Sequence, residues 1–256
     1  MEQNLLYHYT NIHACYSILQ KKSIWMTDCR FLNDTKELTE SIKLFIRPFN
    51  EEEKKILNNT FIYNSFNRSY CIFSLSKEYN VLSQWRAYAN DARGVTLGFN
   101  KNVLGKLGFS LVNCIYEEHE EVINSMRKKH FNNIKDILDA KKELVAENSF
   151  MGWLRENYSK IDEIVYDLLS IKNIAFKEEN EVRIIKPFDT KELNFRESNN
   201  KIIPYKDEIY WKESHFDLAV VIPTIWLGPK CNILNSTSLR MISRITEFKK
   251  YDCGYT

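Results

Sequence analysis

Short apolar segments rich in aromatic and β-branched residues recur along this chain, and one long stretch with helical spacing interrupts them. The segments are LLYHYT (5–10), SIWMT (23–27), YCIFSLS (70–76), GVTLGF (94–99), SLVNCIYE (110–117), EVRIIKP (181–187), KIIPY (201–205) and LAVVIPTIWLG (218–228). RITEFKK (244–250) is a further candidate. Each reads as a strand. Asn11 or Thr10 can cap a helix that carries Ile12, Cys15, Tyr16, Ile18 and Leu19. Residues 31–38 read as a turn into a helix, and 51–66, 81–89 and 236–242 as further helices. The interruption carries Ile123, Met126, Phe131, Ile134, Ile137, Leu138, Leu144 and Val145, then Leu154, Tyr158, Ile161, Val165, Leu168 and Leu169. That is the apolar stripe of amphipathic helices. The simplest parse is one α+β domain over 1–256 with a helical insertion at about 119–170.

Charge and cysteine usage narrow the class. Lys plus Arg is 36 and Asp plus Glu is 34, a net charge of +2 over 256 residues. No global field would draw in a polyanion, which argues against a polybasic nucleic-acid binder. No run approaches the ~18 apolar residues that span a bilayer. MEQNLLYHYT lacks the features of a secretory signal. The six cysteines form no CxxC pair, so a zinc ribbon or a thioredoxin-type site is not expected. A soluble cytoplasmic protein with reduced cysteines and no metal is the expectation. There is no GxGxxG, GxxxxGK[ST], HExxH or GxSxG.

Three constellations could carry chemistry. In a strand, His8 and Thr10 share a face beside Tyr9, and an imidazole and a hydroxyl so spaced can bond one ligand. In the charged start of the 181–187 strand, alternation puts Glu179, Glu181 and Arg183 on one face. Paired carboxylates there would accept hydrogen bonds from a sugar hydroxyl or stabilise developing positive charge. Ser74 and Ser76 leave room for a ligand, and Trp85 and Tyr88, at i and i+3, would form an aromatic wall with Arg86 beside it. Taken alone, each also reads as structural: an edge strand, an acidic guard against strand pairing, a core tryptophan. Arg127, Lys128 and Lys129 form a basic cluster that is either a solvated face or a phosphate contact.

Taken in order, LYHYT, SIWMTDCRFLNDTKEL, CIFSLS-x6-SQWRAYA-x4-GVTLGF, AFKEENEVRII and IWLGPKCN resemble the bacterial family catalogued as domain of unknown function 2971. The resemblance runs from residue 6 to roughly 235. That family pattern is in turn similar to the ADP-ribosyltransferase fold, which implies a split, mixed or antiparallel β-sheet core.

The resemblance implies an NAD-consuming transferase. His8, Tyr9 and Thr10 match its first-strand H-x-T element, which contacts the NAD ribose. Glu181, with Glu179 as an ExE-type pair, matches its late-strand glutamate. Ser74 and Ser76 match a serine-bearing second strand, although His8 stands where that branch has arginine. Trp85, Arg86 and Tyr88 would contact nicotinamide or phosphates. The acceptor, a protein or a nucleic acid, is open, and the setting implied is phage defence or a toxin system. Two alternatives stand beside it. One is a non-catalytic nucleotide- or nucleic-acid-binding module. The other is a nuclease with Asp28, Asp34, Glu37 and Glu181 on a metal. His8 and Glu181 are expected to face one pocket. Glu181→Gln is expected to leave folding nearly unchanged.

Overall fold

The structure, a computed structural model, describes residues 4–34, 36–144, 146–198, 200–209, 216–245 and 247–255. Val145 of the expected insertion, Thr246 of the last expected strand and the first three residues lie outside them. The strands are β1 (Leu5–Thr10), β2 (Ser23–Asp28), β3 (Arg68–Ser76), β4 (Val95–Asn100), β5 (Leu111–Asn113), β6 (Glu181–Asp189), β7 (Asn194–Ser198), β8 (Lys201–Ile209), β9 (Thr224–Leu227) and β10 (Glu247–Lys250). The α-helices are α1 (Ile12–Lys21), α2 (Glu37–Ile46), α3 (Glu51–Asn67), α4 (Leu82–Tyr88), α5 (Lys101–Lys106), α6 (His119–Lys129), α7 (Phe131–Glu143), α8 (Glu147–Glu156), α9 (Tyr158–Leu168), α10 (Leu218–Val221) and α11 (Leu234–Ser243). The fold is α+β. Its open sheet runs β10-β9-β4-β1-β3-β2-β8-β7, with β6 on β3 and β5 on β6. Pairing is antiparallel except between β9 and β10.

Period-2 alternation gives the sheet two apolar faces. Cys71, Phe73 and Leu75 of β3 point into one cluster with Leu6, Leu19, Leu97 and Phe99, packed under α1 and α11. Tyr70 and Ile72 point the other way, toward Phe45, Leu57, Ile123, Ile137, Ile164 and Leu168. The helices of residues 119–168 therefore have a concrete task. Their stripe covers the second face of the sheet, together with α2 and α3. The stripe breaks at His130 and again at Asn157, where the chain changes direction between helices.

Local chemistry sets the joints. The Asn11 side chain accepts from Ala14 N and starts α1, and Asn50 with Glu53 forms a capping box on α3. Asn90, Asp91 and Ala92 are all left-handed, with φ of 51°, 52° and 63°. They reverse the chain between α4 and β4. Gly94 follows because a Cβ there would lie 2.2 Å from the Thr10 carbonyl. The expected strand at 218–228 is corrected. Leu218–Val221 is a single helical turn, Pro223 breaks it, and only Thr224–Leu227 pairs in the sheet. In the 110–117 segment only Leu111–Asn113 is a strand. The edge strand β7 carries polar residues at most positions and gave no apolar signal.

Candidate functional site

Two strands share one edge of β3. On its other edge β3 pairs with β6 over its whole length, from Arg68↔Asp189 to Ser76↔Glu181. On the shared edge β1 meets it only at Tyr7↔Ser76, while β2 meets it at Thr27↔Ile72 and Asp28↔Cys71. Phe73, Ser74 and Leu75 lie where the two strands part, and a cavity of about 390 Å³ opens there. His8 and Glu181 both line it.

The His8 side chain replaces a missing ladder bond. Its Nδ1 lies 2.9 Å from the Ser74 carbonyl. A carbonyl only accepts, so Nδ1 carries the proton and Nε2 presents a lone pair. The ring stacks on Phe73, with centroids 4.2 Å apart. Burial pushes the imidazole pKa down to about 4 against the pull of the Ser74 bond, so His8 is neutral at pH 7.

The charged wall differs from the sequence expectation. Glu179 ends a 3-10 helix (Ile174–Glu179), Asn180 is left-handed with φ 44°, and β6 starts at Glu181. The two glutamates are not alternate residues of one pleat. The turn at Asn180 brings their carboxylates together around Lys172, whose Nζ hydrogen-bonds Oε2 of both. Tyr88 donates to Glu179 Oε1 at 2.7 Å. Arg183 Nη2 donates to Glu181 Oε2 at 2.9 Å, and its guanidinium also grips both oxygens of Glu37. Cys114 Sγ lies 3.6 Å from Glu181 Oε2. The donors to Glu181 thus all meet at Oε2, and among the described residues none donates to Oε1.

Electrostatics fix the protonation of this wall. Burial alone would raise the Glu181 carboxyl, but Arg183 and Lys172 outweigh it and hold its pKa at about 2. Burial opposes the Lys172 ammonium, yet Glu181 and Glu179 keep its pKa above the ordinary lysine value. Burial raises the Tyr88 phenol, and Glu179 raises it further. Glu181 is therefore a carboxylate and Lys172 an ammonium across the neutral range.

Other expected site residues fall in two groups. Ser74 and Tyr9 line the cavity, although the Tyr9 hydroxyl is spent on Glu78 O (2.8 Å) and Val81 N (3.2 Å). Thr10, Ser76, Trp85 and Arg86 do not line it. Thr10 is buried opposite Val95. Ser76 Oγ donates to the Glu179 carbonyl at 2.7 Å, which Gln84 Nε2 also reaches at 3.0 Å. Trp85 is fully buried, with its indole N–H on Tyr79 O at 2.8 Å and its ring stacked on Tyr251. Arg86 is exposed over the Tyr255 ring. Helix α4 turns Gln84, Ala87 and Tyr88 to the cavity, an i, i+3, i+4 face that excludes Trp85 and Arg86.

Two carboxylates of the metal alternative are engaged by other side chains. Asp28 is held by Arg30 and Ser69, Glu37 is held by Arg183, and no metal-ligand cluster occurs among the described residues. The basic cluster is also occupied. Arg127 donates to the carbonyls of Phe45 (2.8 Å) and Leu44 (2.5 Å) at the end of α2, and Lys129 pairs with Asp167. Lys172, Gln84 and Arg196 line the cavity without a sequence signal, and Glu37, expected only as a metal ligand, lines it as well. Lys172 lies alone in a loop, and Glu37 meets Arg183 across 146 residues. Neither pairing leaves a local pattern.

The family model described as "Protein of unknown function (DUF2971)" matches residues 84–184. Over that stretch the chain is similar to the DUF2971 family. The DUF2971 match contains Gln84, Tyr88, Lys172, Glu179, Glu181 and Arg183, the whole charged wall apart from Glu37. It is shorter than the 6–235 span of resembling motifs, and it leaves out His8 and the β2–β8–β7 arm. No curated protein and no solved structure matches this chain. No helix among its described residues is long and apolar enough to cross a membrane.

Proposed function

We propose that this protein binds NAD in the cavity and cleaves its nicotinamide–ribose bond, passing ADP-ribose to an acceptor or to water. One observation carries the reading. Glu181 is held ionised by donors gathered at Oε2, while Oε1 has no donor among the described residues of a cavity it shares with a neutral His8. Oε1 accepts the ribose 2′-hydroxyl and stabilises the oxocarbenium ion as the bond breaks. His8 Nε2 accepts from a second sugar hydroxyl. The C1′–N1 bond breaks, its electron pair leaves with neutral nicotinamide, and the acceptor's nucleophilic atom bonds C1′ and loses a proton. Glu179, steadied by Tyr88, orients that acceptor.

The parting of β1 and β2 along β3 supports likeness to the ADP-ribosyltransferase fold. The acceptor class, protein or nucleic acid, and a role in phage defence or a toxin system rest on the family resemblance. So does action in the cytoplasm, where NAD is available. The test is nicotinamide release from NAD by the parent protein, with cell extract supplied as acceptor.

A second reading is a nucleotide-binding module without turnover. It is favoured by the fact that Glu179 and Glu181 already hold Lys172 and Arg183. In that reading the carboxylates serve as a structural wall. NAD binding without nicotinamide release under any acceptor condition distinguishes it.

A further inference from the structure

We infer that Arg196 is the anion seat of this cavity and takes the phosphate oxygens of a nucleoside diphosphate. The side chain reaches the cavity from β7, the edge strand on the arm opposite β1 in the sheet order, together with Trp25, Thr27 and Ser198. The other arginines near the sheet core each hold a carboxylate. Arg183 holds Glu37 and Glu181, Arg30 holds Asp28, and Arg68 holds Asp162. Arg196 holds none among the described residues. Its polar contact is Nη2 to Thr27 Oγ1 at 3.3 Å, and its Nε is buried without a partner.

A guanidinium offers five N–H donors in a rigid fork. One that is half-buried and lacks a counter-charge is costly to keep. Burial, the larger influence on it, lowers its pKa. The fork is nevertheless held in place, 5.4 Å from the Trp25 ring centroid and 5.8 Å from that of Tyr205. Two aromatic rings orient it and supply no anion. That is the arrangement of a donor set completed by a ligand, and bidentate recognition of phosphate is what the fork suits.

The cavity is therefore polar along its length in one sense. Glu37, Glu179 and Glu181 stand on the charged wall with Lys172 and Arg183 between them, and a cation without a carboxylate partner among the described residues stands on the β7 arm. A ligand with a sugar that turns cationic and a diphosphate beyond it satisfies both ends. The diphosphate assignment rests on placing the ribose at Glu181, as proposed above. The anion seat itself does not depend on turnover.

The test is calorimetric binding of ADP, inorganic pyrophosphate and adenosine to the parent, Arg196→Met and Arg196→Lys, with melting curves to establish folding. The parent binds ADP and pyrophosphate. Arg196→Met weakens both by about tenfold to a hundredfold, the worth of a charge-assisted hydrogen bond. Arg196→Lys keeps the charge, loses the fork and falls between, so it decides the matter if the methionine variant does not fold. Adenosine, without phosphates, responds little to either change. ADP binding by the parent with no consumption of NAD defeats the transferase reading and leaves the anion seat standing. A parent that binds neither ADP nor pyrophosphate at millimolar concentration, or folded variants that bind them as the parent does, overturns it.

Discussion

The ammonium of Lys172 lies between the carboxylates of Glu179 and Glu181 and hydrogen-bonds both, with each of the three side chains largely buried. Lys172→Met leaves two buried carboxylates short of their shared counter-charge. Breaking a buried pair from one side costs about 3–5 kcal/mol. Urea unfolding of the variant should show that loss, with Lys172→Arg restoring part of it.

His8 should make the protein acid-sensitive in a defined window. Its pKa is 6.5 in the unfolded chain and about 4 in the fold. Between those values the unfolded chain binds a proton that the folded one does not. Stability is complete above that window and falls as the pH drops through it, by up to about 1.4 kcal/mol per pH unit. His8→Gln keeps a donor for Ser74 O and removes the titration. Its melting temperature should change less than the parent's between pH 7 and pH 4.5.

Glu181 acts lower on the pH scale. Its carboxyl falls from 4.5 in the unfolded chain to about 2 in the fold. The stability it contributes is present above the unfolded value and is lost as the pH falls from there toward 2. The sequence expectation that Glu181→Gln leaves folding nearly unchanged is corrected by the same contacts. The side chain is buried and neutralises Lys172 and Arg183, so Glu181→Gln should melt well below the parent.

Arg127 caps the carbonyl end of α2 through Leu44 and Phe45. Arg127→Glu removes those charge-assisted bonds and should cost about 1–3 kcal/mol. Lys128→Glu, without such bonds, should be nearly neutral. Parallel thermal melts of the two variants check this. A recognition role for the cluster would predict similar stability for both.

Much of this architecture was legible because it is local. LLYHYT, YCIFSLS and EVRIIKP are strands, and Asn11 caps α1. His8 and Glu181 share a cavity because β3 pairs with one and bonds the other. What stayed hidden depends on distant contacts or on backbone geometry. The left-handed Asn180 changed how Glu179 reaches Glu181. Lys172 became central only through its two partners. Trp85 and Arg86 sit in a motif-like run but turn away from the cavity, since the helix face is set by what Gln84 and Tyr88 bond. Arg196 lies on a polar edge strand with no apolar rhythm to mark it.

Tyr88 offers a gentler probe of the charged wall. Tyr88→Phe removes the donor to Glu179 Oε1 and the hydroxyl's contact with Asn33. It should cost about 1 kcal/mol of stability and impair transfer to an acceptor more than nicotinamide release. An acceptor-dependent assay against a hydrolysis assay separates the two.

The most direct measurement is nicotinamide release from NAD by the parent and by Glu181→Gln. It is made at a temperature where melting curves show both to be folded. Removing one preorganised electrostatic group costs about 3–4 kcal/mol of transition-state stabilisation, or about 10²–10³ in rate. The expected result is measurable release by the parent and a drop of that size in the variant, with NAD binding retained. Equal release by parent and folded variant would contradict the role given to Glu181. No release by the parent with any acceptor would contradict the enzymatic reading itself.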